Sequence, residues 1–153
     1  MNHKQDTDTQ IFFYEQDFYI LSNFSAFGIW WKGHFFATSE AAYQWEKFSE
    51  HGDIQHYILY ASSAHQAFKL AEGNKDKVRS DWDVVKVGIM WEILHAKVKQ
   101  HEYVFRKLLA TGDRELIEDS WRDDFWGWGP NRDGQNMLGK LWMEIRKELR
   151  SVH

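Results

Sequence analysis

Three polar side chains stand where one face of a helix would gather them. Glu40, Gln44 and Lys47 are spaced i, i+4 and i+7 in the segment Thr38-Ser39-Glu40-Ala41-Ala42-Tyr43-Gln44-Trp45-Glu46-Lys47. A helix here presents a carboxylate, an amide and an amine on one side. The same spacing fits a solvated face with a weak Gln–Lys contact; the sharper reading has all three converge on one ligand. Glu40 falls in the first turn, at the positive end of the helix dipole, which favours its ionised form. An ionised carboxylate suits stabilisation of a cationic transition state better than proton donation.

Two further segments carry groups that could do chemistry. Asp123-Asp124-Phe125-Trp126-Gly127-Trp128-Gly129 sets carboxylates beside tryptophan and glycine on a loop, which are the parts of a sugar or base site, with glycine letting backbone approach a ligand. It fits a surface loop anchored by tryptophan equally well. Asn131-Arg132-Asp133-Gly134-Gln135-Asn136 runs into the last helix. Free N–H groups at that helix start, with the Arg132 fork, could take an anion such as phosphate; a plain helix-entry loop accounts for the same residues. The histidines are scattered with no zinc spacing, and there is no nucleophile elbow, P-loop or dinucleotide fingerprint, which disfavours zinc, serine-acyl and nicotinamide chemistry.

The elements that must position these groups are mostly helices. Residues 1–10 read as a flexible tail and 11–150 as one domain. Aromatic and β-branched runs at Ile11–Tyr14, Phe18–Leu21 and Ile29–Trp31 predict a small irregular β region, with Trp31-Lys32-Gly33-His34-Phe35 a tight turn between two short strands. Thr38 or Ser39 caps the helix carrying Glu40, which runs to about Ser49. Helices follow over 54–60 and, capped at Ser62-Ser63, to Glu72, closed by Gly73. Ser80 with Asp83 has capping-box spacing and opens the longest helix, to about Gln100. Its apolar positions fall in two rows, Val84, Val85, Gly88, Trp91 and His95, and Val87, Met90 and Leu94. A helix over 102–110 comes next, then an ambiguous Glu115–Glu118. A loop over 121–135 precedes a closing amphipathic helix, 136–149, with a stripe of Leu138, Leu141, Trp142, Ile145 and Leu149.

Bulk properties narrow the classes. A formal net charge of -4 argues against coating nucleic acid by charge, although a local basic pocket for a phosphorylated small molecule is compatible with it. The absence of cysteine removes disulfides, thiolate nucleophiles and cysteine metal sites. The opening residues lack the apolar core of a secretory signal and no run is long enough to span a bilayer, so a cytoplasmic location with no membrane partner is expected. The 9 tryptophans serve a core or a flat pocket for bases and sugars, and composition alone does not separate the two.

Taken in order, the segments resemble the NADAR (YbiA-like) superfamily. The resemblance rests on Ser22-Asn23-Phe24, Thr38-Ser39-Glu40 with Tyr43-Gln44 and Lys47-Phe48, Asp81-Trp82, Asp123 with Phe125-Trp126-Gly127, and Asn136-x-Leu138-Gly139 with Met143-Glu144-x-Arg146. These five ordered motifs extend from about Phe13 to Leu149. The resemblance implies a mainly α fold and N-glycosidase chemistry. It implies action on ribosylamino-pyrimidine phosphates, early intermediates of riboflavin synthesis, or removal of ADP-ribose from guanine in nucleic acid. Glu40, Lys47, Trp82 and Asp123 then fall on positions tied to activity, and Asn23, Gln44, Trp126, Gly127 and Asn136 on positions that shape the pocket. Two departures bear on the substrate: Trp128 where an Asp is usual, and Trp121-Arg122 where the family carries Glu-Asn.

Breaking a ribosyl C–N bond builds positive charge on the sugar. Either Glu40 or Asp123 could meet that charge while the other handles a proton on water or the leaving nitrogen. Alternatively, a ribosylamine opens to an imine and Lys47, its pKa lowered by burial, traps the sugar carbon as a Schiff base. Trp82 and Trp126 would stack on base or sugar. Neither route calls for a metal or organic cofactor. Other classes compatible with the same residues are a non-catalytic ADP-ribose or nucleotide binder and, last, a helical interaction protein whose aromatics are only core.

Overall fold

The computed structural model describes residues 6–14 and 19–152. They form two compact units, one of residues up to Ser22 together with Glu102 onward, the other spanning Asn23–His101. Each unit pairs a minimal sheet with helices.

Strand β1 is Gln10–Phe13, β2 Ile29–Trp31, β3 His34–Phe36 and β4 Glu115–Glu118. The helices are α1 Ser39–Glu46, α2 Gly52–Leu59, α3 Ala64–Glu72, α4 Trp82–Gln100, α5 Glu102–Ala110 and α6 Met137–Val152. In the Asn23–His101 unit the β2–β3 hairpin forms as expected, antiparallel with Ile29 opposite Phe36. Its turn uses Lys32 and Gly33, both at positive φ. Gly33 takes that conformation without steric cost.

Helix α1 starts where Thr38 predicts. The Thr38 hydroxyl accepts the Ala41 N–H at 3.1 Å, a cap worth about 1 kcal/mol. The helix ends at Glu46 with Lys47 as C-cap, short of the expected Ser49. Ser63 caps α3 in the same way, and Gly73 closes it. Helix α4 departs from expectation at its start. Asp81, not Ser80, is its N-cap, and no side chain caps it, because the Asp81 carboxylate is taken by Arg79 at 2.6 and 2.9 Å.

The core face of α4 is Met90, Ile93, Leu94, Lys97 and Val98. The row containing Val84 and Gly88 is not that face, and Val84 is exposed. The buried positions follow i, i+3, i+4, i+7, i+8 spacing, but the i+7 residue is a lysine. A cation inside the apolar stripe is what disguises it.

In the other unit, β1 and β4 pair in parallel, Gln10 opposite Glu115 through Phe13 opposite Glu118. Ile11, Phe13, Leu116 and Ile117 are buried on this pair. The ambiguous Glu115–Glu118 segment is therefore a strand. Tyr19–Leu21, expected extended, is a short 3-10 turn; Phe18 of that run and Met1–Gln5 of the expected tail lie outside the described residues. Helix α6 buries Leu138, Trp142 and Ile145, and the Trp142 indole donates to the Leu21 carbonyl at 2.9 Å. That bond replaces a backbone partner the turn cannot supply. Among the described residues no helix is long and apolar enough to cross a membrane.

Candidate functional site

The expected residues divide between the units: Asn23, Glu40, Gln44, Lys47 and Trp82 lie in one, and Asp123, Trp126, Gly127, Arg132 and Asn136 in the other. The first group forms a cluster. Glu40 is buried in the first turn of α1, and its backbone N–H donates to the Asn23 carbonyl at 3.0 Å. Gln44, one turn on, donates its amide to the Glu40 carboxylate at 2.5 Å. The solvated-face alternative is thereby excluded for these two, since both are buried.

Lys47 completes the row. Its ammonium nitrogen lies 5.4 Å from the Tyr43 ring centre and 5.8 Å from that of Trp82. The two rings meet at 5.1 Å with their planes inclined by 58°. The amine therefore occupies an aromatic slot. Burial pushes its pKa below the usual lysine value, while the nearby Glu40 charge opposes the shift. Desolvation outweighs the carboxylate, so the neutral amine, the form that attacks carbon, is favoured relative to a surface lysine.

The cluster also holds polar atoms with nothing to bond. Gln44 Oε1, Asn23 Oδ1 and Ser39 Oγ are buried without a hydrogen-bond partner. Leaving such an atom unpaired costs about 1–3 kcal/mol, and unpaired atoms gathered around a carboxylate and an amine mark a place where a polar ligand can repay that cost.

The Asp123 loop is built differently. Asp123 Oδ1 accepts the N–H groups of both Phe125 and Trp126 at 2.8 Å, turning the chain on itself. Gly127 is buried, and a Cβ there would fall 2.8 Å from Ser120 Cβ and 2.9 Å from the Glu118 carbonyl. Its glycine is required by the packing of this loop, not by the approach of a ligand. Asn136, at positive φ, gives its amide to the Leu116 carbonyl and accepts the Glu118 N–H, both at 2.9 Å. It fastens the loop to β4. Trp126 is half-buried with its ring edge-on to Phe125, 4.9 Å between centres.

The expected anion site at the start of α6 is not formed. The N–H groups of Asn136, Met137 and Leu138 donate to the carbonyls of Gly127, Phe125 and Trp126 at 2.9, 2.9 and 3.0 Å. The donors that would hold a phosphate are consumed by the loop. Arg132 is exposed, with its guanidinium 5.5 Å from the Trp128 ring centre.

Four side chains, three at the cluster and Lys97 in the core of the same unit, were assigned no role from sequence. Tyr43 walls the lysine slot, and its i, i+4 spacing to Lys47 was the available signal. Glu46 is a buried carboxylate held by the Trp31 indole at 2.7 Å and the Lys32 amine at 2.8 Å. Arg79 joins Asp81 as described. Lys97 is wholly buried, donates to Ser25 Oγ at 2.9 Å, and has its pKa lowered to about 7 by desolvation. Spacing carried no sign of the last three.

Comparison with known proteins agrees with these motifs. The NADAR domain family model matches residues 12–150. An N-glycosidase of Nostoc punctiforme is 39% identical over 146 residues, 93% of this chain and 94% of that protein. A riboflavin biosynthesis protein of Vibrio vulnificus is 39% identical over 141 residues, 91% of this chain but 38% of that longer protein. The NMR structure of the E. coli protein YbiA superposes with a TM-score of 0.84 at 35% identity, covering 95% of this chain and 87% of that one. The chain belongs to the NADAR family. Within it, this chain shares its fold with YbiA and is 34–39% identical over most of its length to relatives named N-glycosidases.

Proposed function

We propose that this chain is an N-glycosidase that hydrolyses the bond between ribose C1 and an amino nitrogen, with a phosphoribosylamino-pyrimidine of riboflavin synthesis as substrate. The observation that carries the reading is the Lys47 amine, desolvated between Tyr43 and Trp82 and beside the buried Glu40. The names of relatives at 39% identity, an N-glycosidase and a riboflavin biosynthesis protein, support the reaction and the substrate class.

In this scheme the ribosylamine opens to its C1 imine. Neutral Lys47 adds to C1, and one of its protons together with one from solvent, returned when the adduct is hydrolysed, passes to the departing nitrogen, which leaves as the free aminopyrimidine. The lysine–sugar iminium that remains carries positive charge, which the Glu40 carboxylate stabilises. Water then adds to C1, the lysine nitrogen departs, and the sugar is released as ribose 5-phosphate. One water is consumed and the amine is regenerated. Gln44 and Asn23, with their unpaired oxygens, accept hydroxyl protons of the sugar, and Trp82 offers its ring to base or sugar. Asp123 and Trp126 enter this proposal through the family motif alone.

Product analysis by mass spectrometry tests it. The protein and a Glu40→Ala control are given a ribosylamino-pyrimidine phosphate and, separately, ADP-ribosylated guanosine DNA. Release of ribose 5-phosphate from the first by wild type only is expected. Release of ADP-ribose from the second instead would move the substrate class to modified nucleic acid. Tight binding of either without release would replace the enzyme by a binding module.

A further inference from the structure

Lys47 and Trp82 face each other across the slot although 35 positions separate them in sequence, and one residue touches the backbone of both. The Arg79 N–H donates to the Lys47 carbonyl at 2.8 Å, and the Arg79 carbonyl accepts the Trp82 N–H at 3.2 Å. Its side chain repeats the pattern. The guanidinium grips Asp81, the residue before Trp82, through Nε at 2.6 Å and a terminal nitrogen at 2.9 Å. The other terminal nitrogen lies 3.9 Å from Glu46, the residue before Lys47. Glu46 is itself immobilised by Trp31 and Lys32.

We infer that Arg79 is the positioning residue that sets the width of the Lys47 slot, holding the end of α1 and the start of α4 at a fixed separation. Two features favour this over an incidental ion pair. The fork on Asp81 is bidentate, so it fixes direction as well as distance. It also takes the Asp81 carboxylate away from the cap bond that α4 would otherwise receive, leaving the helix start without a side-chain cap. A local pair chosen for stability alone would not forgo that bond. With the fork removed, the α4 start is free to move away from Lys47, water enters between the rings, and the amine loses both its desolvation and its aim.

The test uses the full chain as wild type, Arg79→Ala, Arg79→Lys and Asp81→Asn. The lysines are reductively methylated with 13C, and the Lys47 signal is assigned by its absence in Lys47→Arg. In wild type Lys47 titrates below the ordinary lysine value. In Arg79→Ala its midpoint rises toward that value as the desolvation is relieved, with a smaller rise in the same direction in Asp81→Asn. Arg79→Lys, which keeps charge but loses the fork, resembles the alanine variant. On unmethylated protein, kcat/KM falls by up to about 100-fold in Arg79→Ala. Should Arg79→Ala not fold, Asp81→Asn decides, since Asp81 is exposed. An unmoved Lys47 titration in the folded variants overturns the inference, whatever happens to the rate. The kinetic arm alone rests on Lys47 being the reacting amine; the titration reads the slot even if the proposed reaction is wrong.

Discussion

The helix-borne cluster at Glu40 and the loop at Asp123 carry family motifs of similar prominence, yet they spend their polar groups in opposite ways. Around Glu40, buried oxygens of Gln44, Asn23 and Ser39 have no partner, and an amine is held out of water against its preference to be charged. Around Asp123, one carboxylate oxygen caps two N–H groups, Asn136 staples β4, and the N–H groups of Asn136, Met137 and Leu138 at the start of α6 bond the loop. The first region is incomplete by itself and the second is nearly self-sufficient. A motif residue can therefore be retained for a ligand or for the loop it closes, and hydrogen-bond bookkeeping separates the two where sequence does not.

That contrast can be broken by substitution, with the largest effect expected in the first region. Lys47→Ala should lower kcat by about 100- to 10,000-fold, and Glu40→Gln by about 100-fold or more. Both should leave the circular dichroism spectrum and thermal midpoint near wild type, since Glu40→Gln keeps the side chain's shape and an acceptor oxygen for the Gln44 amide and Lys47 is only partly buried. Loss of the folded state in Glu40→Gln would place that carboxylate in the structural class instead.

In the second region the expected loss is stability. Asn136→Ala removes two hydrogen bonds and leaves a β4 carbonyl and N–H unpaired, a cost of about 2–4 kcal/mol read from urea unfolding. A stable Asn136→Ala protein would mean that the loop is held in some other way. The Asp123 carboxylate can be divided by the same approach. Asp123→Asn retains the acceptor oxygen that caps Phe125 and Trp126, so a large rate loss without destabilisation would assign Asp123 a chemical role beyond its cap.

Lys97 sharpens the comparison from a third position: it is buried like Lys47 but faces core. Its pKa falls from 10.5 unfolded to about 7 folded. Between those values the unfolded chain binds the extra proton, so this group makes stability rise with pH across about 7 to 10.5 and become independent of pH below that window. The span is at most about 5 kcal/mol. Lys97→Met should flatten the rise, measured as urea midpoints at pH 7 and pH 9.5. An unchanged slope would contradict a depressed Lys97. The smallest effect belongs to Arg132→Ala, where exposure and the missing anion site predict a stability change within about 0.5 kcal/mol and no loss of substrate affinity in a titration.

Much of this architecture was legible beforehand because local chemistry announced it. Thr38 and Ser63 cap helices with their own hydroxyls, Gly73 closes one, and Lys32-Gly33 turns the hairpin. Glu40, Gln44 and Lys47 share a face because helical period requires it. What stayed hidden depends on partners distant in the chain. Glu115–Glu118 becomes a strand only by pairing with Gln10–Phe13, about a hundred residues away. Lys97 breaks the apolar stripe of α4 and is buried through Ser25. The α6 start resembled an anion site until loop carbonyls were found on its N–H groups. Arg79 carries no motif of its own; only the bonds on both sides of it reveal what it joins.

The central claim is that the amine in the aromatic slot bonds to the sugar. Wild type and Lys47→Arg would be incubated with the ribosylamino-pyrimidine phosphate in the presence of borohydride, digested, and mapped by mass spectrometry. A reduced pentose phosphate adduct on the Lys47 peptide of wild type, absent from Lys47→Arg, is the predicted result. Full turnover by wild type with no adduct at Lys47 would contradict the account and leave direct displacement, with Glu40 stabilising the ribosyl cation, in its place.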